Sequence, residues 1–189
     1  MVAGVDEAGV APLAGPVVAA AVILRPGHGL DGVADSKTLA RSVRERLYTE
    51  IMAAAWVGVA QASVAEIDDL NILGATMTAM QRAVAVLPVV PNAVLIDGNR
   101  APALGCPTGT LVDGDALSTS IAAASIIAKV TRDRLMCDLA LEHPGYGWER
   151  NVGYGTPEHR QALHRLGPTP YHRCSFVPVK QVLESRLSI

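Results

Sequence analysis

Aromatic side chains are scarce in this sequence, with two Trp, four Tyr and one Phe among 189 residues. Large rings therefore cannot fill the core. The abundant Ala and Val predict one of small and branched side chains packed closely, as when helices lie directly on a sheet. Cysteine is also sparse. Cys106, Cys137 and Cys174 form no C-x-x-C pair and no Cys/His pattern of zinc-finger spacing. That argues against a disulfide framework and a structural zinc site, and fits a reducing cytoplasm. Long apolar runs are missing too: Val17–Leu24 is too short to span a bilayer and no basic segment precedes it, so neither a membrane span nor a signal peptide is expected. Nor is there a large excess of charge. The net charge is −2, but residues from Lys129 onward carry nine Lys/Arg against six Asp/Glu, while the rest carries seven against twelve. A modestly basic C-terminal part thus faces an acidic N-terminal part.

What is present is a chain long enough, and half hydrophobic, to bury a sizeable core in one domain. Val2–Asp6 and Val17–Leu24 read as β-branched strands joined by a turn-rich loop, an antiparallel pair. Ser42–Ala55 has helical spacing, Trp56–Val64 turns β-like, and Asn71–Leu87 reads as a helix with one apolar face. Two short strands follow in "AVLIDG" (Ala93–Gly98) and "GTLVDGD" (Gly109–Asp115), then a long Ala/Ser-rich helix whose small residues allow close packing. The expected division is a core over about residues 1–140 and a helical and loop part over about 141–189, in an α/β fold with a mixed sheet.

Four acids share one local setting. Asp6 and Glu7 end the first strand, Asp97 ends "VLID", and either Asp113 or Asp115 follows "LV" in "LVDGD", where spacing does not choose between them. Each alone reads equally as a turn former or helix cap. Together, at the ends of central strands of an open α/β sheet, they converge on one crevice. Two charges about 4 Å apart repel by roughly 4 kcal/mol at an effective dielectric near 20, so such a cluster must take up protons or hold cations. Oxygen donors without His or Cys select Mg²⁺ or Mn²⁺, and two such ions support in-line phosphodiester displacement by water. Neighbours on a regular strand point to opposite faces, so Asp6 and Glu7 reach one site only if the strand bends, which Gly4 or Gly9 permits.

The blocks "GVDEAG…PLAGPVVAAAVIL", "DSKTL", "NILGATMTAM", "IDGN", "GDALSTSIAAASIIAKVTRDR", "HPGYGWERNVGYGTPEH" and "HRCSFVPV" resemble bacterial ribonuclease HII, in order and over nearly the whole chain. The resemblance implies a ribonuclease H-like fold, a five-stranded mixed sheet flanked by helices with a helical C-terminal part. It implies an endonuclease that cuts RNA in RNA–DNA hybrids and 5′ to single ribonucleotides embedded in duplex DNA, leaving 3′-hydroxyl and 5′-phosphate ends. It assigns the metal ligands to Asp6, Glu7, Asp97 and, by analogy alone, Asp115. It further implies that Tyr154 stacks on the sugar 3′ to the cut, and that Lys37, Asn71, Lys129 and Arg132 contact phosphate or backbone. A monomer acting on nucleic acid, away from membranes, is expected. No clamp-binding motif is recognisable in the C-terminal "VLESRLSI".

One loop departs from the family. Where members read Gly-Arg-Gly, this chain has Gly9, Val10 and Ala11. Val10 removes a charge-assisted contact, and Ala11 adds a Cβ where the loop needs a positive φ or a close approach. Intact acids beside a weakened loop predict retained metal binding with lower substrate affinity and ribonucleotide selectivity. The competing reading is a protein of the same fold that binds hybrid duplex without cutting it; a third is a nuclease of the same fold that cuts all-DNA substrate. His143, His159 and His172, in Pro/Gly-rich loops, read as structural rather than as acid–base groups.

Overall fold

The computed structural model describes residues 1–27, 29–30, 33, 36 and 39–187. Its strands are β1 (Val2–Ala8), β2 (Val17–Leu24), β3 (Ala55–Ala62), β4 (Ala93–Asp97) and β5 (Thr108–Leu111). They form one mixed sheet in the order β3-β2-β1-β4-β5. β1 lies at its centre, antiparallel to β2 and parallel to β4. The helices are α1 (Arg41–Ala54), α2 (Val64–Ala85), α3 (Gly114–Leu117), α4 (Thr119–Glu142), α5 (Trp148–Asn151), α6 (Pro157–Leu166) and α7 (Val177–Leu187). The expected α/β class and five-stranded mixed sheet are those of the structure.

Small side chains decide how closely the layers approach. On one face Ala3, Val5, Val94 and Ile96 pack against Ala75, Ala79 and Met80 of α2. On the other, Ala20 and Val22 pack against Leu47 and Ile51 of α1 and Ala123, Ala124 and Ile127 of α4. The N-terminus of α4 sits directly on β1 at Gly4, where a Cβ would overlap the Ser120 carbonyl group. With no flexible side chain there to give way, Gly4→Ala must shift backbone, an overpacking that costs about 1–3 kcal/mol.

Two elements differ from the sequence pattern for identifiable reasons. The helix read from Asn71 begins seven residues earlier, at a capping box in which Ser63 Oγ accepts from Glu66 N (3.2 Å) and Glu66 Oε2 accepts from Ser63 N (2.8 Å). Asn71 then breaks it (φ 60, ψ 170) and caps the second segment, its Oδ1 accepting from Leu73 N and Gly74 N. The strand read through to Asp115 ends at Leu111, because Asp113 adopts the left-handed conformation (φ 53) and turns the chain into α3.

Candidate active site

Parallel pairing of β1 with β4, Val5 opposite Ile96, brings the C-terminal ends of two strands together and sets Asp6 beside Asp97. Asp115 arrives from the first turn of α3. One carboxylate oxygen from each of the three lies within 4.8 Å of the others. Asp113, two residues earlier, is exposed and outside this group. Hydrogen bonds orient the cluster: Asp97 Oδ1 accepts from Gly114 N (2.8 Å), Asp6 Oδ1 accepts from Glu7 N (2.7 Å), and Ser125 of α4 bonds the Asp6 carboxylate. Ser125 Oγ in turn meets Ser36 Oγ at 2.7 Å, so Ser36 supports Asp6 through a buried hydroxyl pair. Burial, then the charges of Glu7 and Asp97, push the Asp6 carboxyl up to about 8. A divalent cation would remove that penalty, and an all-carboxylate donor set suits a hard ion.

Glu7 is not one of the three converging acids. Alternation along β1 places it on the face of Ala3 and Val5, towards α2, while Asp6 faces α4. It stands at the rim, close enough to raise the Asp6 carboxyl electrostatically, and borders two clefts, one of which Asp97 also lines. Val10 also borders both. The cleft on the α4 side is lined by Gly9, Val10, Ala11, Lys129, Ser125 and Tyr154.

Tyr154 is 44% exposed, yet its backbone is firmly held. Thr169 N donates to His172 Nδ1 (2.9 Å), which fixes the His172 proton on Nε2. That proton points at His159 Nε2 (3.1 Å), which also accepts from Trp148 Nε1 (3.0 Å). The His159 proton is therefore on Nδ1 and is donated to the Tyr154 carbonyl (2.9 Å). Both imidazoles are buried, and desolvation pushes both below the usual histidine range, His172 to about 3 with His159 and His143 adding to the effect.

Of the further residues named from the sequence, Lys129 lines the cleft with its Nζ paired to Asp133 Oδ1 at 2.8 Å. Asn71 is exposed, with Oδ1 engaged in capping α2. Lys37 lies outside the described residues. Arg132 requires a correction: it lies in the wall of the same cleft, but it is 1% exposed and its guanidinium donates to the carbonyls of Pro16, Ala14 and Val152, so these donors are spent inside the protein and not extended to phosphate. Ala11 requires another. It is exposed and not at positive φ; the left-handed residue is Gly9 (φ 100), where a Cβ would run into Arg132 Nε. Arg173, fully buried behind the same loop, is not legible in the sequence as a site residue. Its only sequence signal is a cation in "HRCSF" with no acid beside it.

A ribonuclease H-like sheet with carboxylates at the ends of its central parallel strands defines the class as a ribonuclease H-type nuclease. The comparisons specify it further. The Ribonuclease HII family model matches residues 3–179. A curated Ribonuclease HII of Ruegeria pomeroyi is 60% identical over 183 residues, covering 96% of this chain and 78% of that protein. The ribonuclease H2 of Pyrococcus horikoshii superposes with a TM-score of 0.82 at 24% identity, over 100% of this chain and 99% of that one. Bst-RNase HIII, solved in complex with Mn²⁺, gives 0.69 at 21% identity, over 100% of this chain and 70% of that one. The chain belongs to the ribonuclease HII family and is an endoribonuclease of RNA–DNA hybrids.

Proposed function

We propose that the chain hydrolyses the phosphodiester 5′ to a ribonucleotide, in RNA–DNA hybrid and at single ribonucleotides within duplex DNA, with Asp6, Asp97 and Asp115 holding Mg²⁺ or Mn²⁺ and Glu7 completing the ligand set from the rim. The observation that carries this reading is the convergence of three carboxylates within 4.8 Å, with Asp97 in a cleft that shares Glu7 and Val10 with the cleft of Lys129 and the exposed Tyr154. Held by these carboxylates, a divalent cation would supply the means to activate water and to stabilise the charge that develops on phosphate and leaving oxygen.

The chain's own residues do the positioning. Gly114 N and Ser125 fix the orientation of Asp97 and Asp6. Tyr154, held by the His159 bond to its carbonyl, offers a ring for the sugar 3′ to the cut, and Lys129 offers a cation for the backbone. The loop Gly9–Val10–Ala11 meets the substrate with backbone alone, because Val10 stands where the family carries arginine, and affinity and selectivity are reduced accordingly. The test is incubation with Mn²⁺ or Mg²⁺ and a DNA duplex carrying one ribonucleotide. A 5′ cut abolished by Asp6→Asn supports the reading; a mobility shift without product supports a duplex-binding protein instead.

A further inference from the structure

The loop entering the cleft is held from behind by two buried guanidinium groups whose hydrogen bonds go to carbonyl oxygens. Arg173 donates from Nη2 to Gly9 O (2.5 Å) and Gly15 O (2.9 Å), from Nη1 to Val10 O (2.8 Å), and from Nε to Gly15 O (3.0 Å). Arg132 donates from Nε to Pro16 O (3.0 Å), from Nη2 to Ala14 O (3.0 Å), and from Nη1 to Val152 O (2.9 Å). Arg173 is itself anchored. Its ring neighbour is Phe176 at 5.1 Å, and Asp68 of α2 accepts from the next two backbone amides, Cys174 N (3.0 Å) and Ser175 N (2.8 Å). Leu13 N to Gly153 O (2.9 Å) and Gly15 N to Tyr171 O (2.8 Å) strap the same loop to the C-terminal part.

This pattern fixes which way the loop's peptides face. A trans peptide carries its C=O and N–H in opposite directions. With the Gly9 and Val10 carbonyls drawn to Arg173, the N–H groups of Val10 and Ala11 turn away from it, on a loop whose outer side borders the cleft. Two successive N–H groups facing one way form a concavity for an anion. A guanidinium is suited to holding such a loop because it is planar, and its several donors in fixed directions satisfy carbonyls that a single ammonium cannot span.

We propose that Arg173 and Arg132 are positioning residues for substrate binding, which hold the carbonyl side of Gly9–Pro16 inward so that the Val10 and Ala11 amides present one fixed anion site to the duplex backbone. In a chain without the loop arginine, this main-chain site carries the contact alone. The identity of the anion rests on the proposed function; the clamp itself does not.

Arg173→Lys keeps the charge and removes the fork. It is expected to raise KM for the single-ribonucleotide duplex about tenfold or more with kcat within about threefold, because binding rather than chemistry is weakened. Amide exchange at Leu13 and Gly15 is expected to quicken about tenfold while Val5 and Ala20 in the sheet stay unchanged. A folded Arg173→Lys protein with wild-type KM and wild-type exchange at Leu13 and Gly15 overturns the proposal. If the variant does not fold, the wild type decides by ¹⁵N-edited spectra: slowly exchanging guanidinium protons on both arginines support the clamp, and rapid exchange overturns it. Failure of the wild type to cut sinks the functional reading instead, and amide exchange still decides the clamp.

Discussion

Asp6 and Asp97 are lateral neighbours because β1 and β4 run parallel and in register, so two carboxylates are pressed together by the sheet itself. The arrangement opposes stability and serves binding. Asp6→Asn replaces a buried carboxyl that must take up a proton on folding at neutral pH with a neutral amide, and is expected to raise the metal-free protein's unfolding free energy by roughly 0.5–2 kcal/mol, as at other strained functional sites. Activity is expected to fall about 100-fold or more, since a metal ligand is lost. Thermal melts in EDTA beside cleavage rates check both; loss of stability together with activity would mean that Asp6 serves the fold.

The same crowding sets a pH dependence. The Asp6 carboxyl is pushed up to about 8 in the folded chain from an ordinary value of 3.8, so the folded state holds a proton that the unfolded state releases. The stability this contributes is full below about 3.8 and is lost as pH rises through about 8. A divalent cation must displace that proton, so the rise in Tm caused by saturating MnCl₂ is expected to grow from roughly pH 6 to roughly pH 9. Melts across that range, with and without MnCl₂, read it. A shift independent of pH would place the cation elsewhere.

The His159–His172 pair acts in the opposite direction. Both are pushed below 6.5, His172 to about 3, so the unfolded chain binds protons that the folded chain refuses. Their contribution is present above about 6.5 and is lost as pH falls towards about 3. Protonation at His172 Nδ1 would set two donors, its own N–H and Thr169 N–H, against each other. Among the described residues, Glu158 favours His159 protonation while His143 opposes that of His172. Acid denaturation of the metal-free wild type is expected to begin below about pH 6.5, and His172→Asn, less stable at neutral pH, is expected to show a shallower slope. Equal slopes would mean that the pair plays no part in acid denaturation.

How much of this is legible in sequence follows from where each signal resides. Asp6 and Asp97 can be read because an acid ending an apolar strand is a local pattern, and parallel strands then bring such ends together. Choosing Asp115 over Asp113 needs the left-handed turn at Asp113, which spacing does not encode. Arg132 misleads for a similar reason. Three residues after Lys129 on a helix, it looks like a second solvated cation, but its acceptors are carbonyls at Ala14, Pro16 and Val152, the first two more than a hundred positions away. Arg173 likewise bonds carbonyls more than 150 positions away, and the His159–His172 relay, though its partners lie within 13 positions, depends on a loop geometry that spacing does not encode. Glu7 can be placed in part, since alternation warns that it leaves the face of Asp6, and it does.

The loop substitution separates into two parts of unequal weight. Val10 is 39% exposed and borders both clefts beside Glu7, so an arginine side chain there extends into the proposed substrate site without moving backbone. A regained charge-assisted contact is worth roughly 1.5–3 kcal/mol. Val10→Arg is therefore expected to lower KM for the single-ribonucleotide duplex by about tenfold or more and to sharpen preference for the ribonucleotide junction. Ala11 is exposed and not at positive φ, so Ala11→Gly relieves nothing and adds only unfolded-state entropy, about 0.4–1 kcal/mol against stability. Its KM is expected to stay within about twofold of wild type. Steady-state kinetics on the two single variants and the double variant check the division. An Ala11→Gly effect equal to that of Val10→Arg would show that loop conformation, which Arg173 and Gly9 here fix, had been limiting instead of charge.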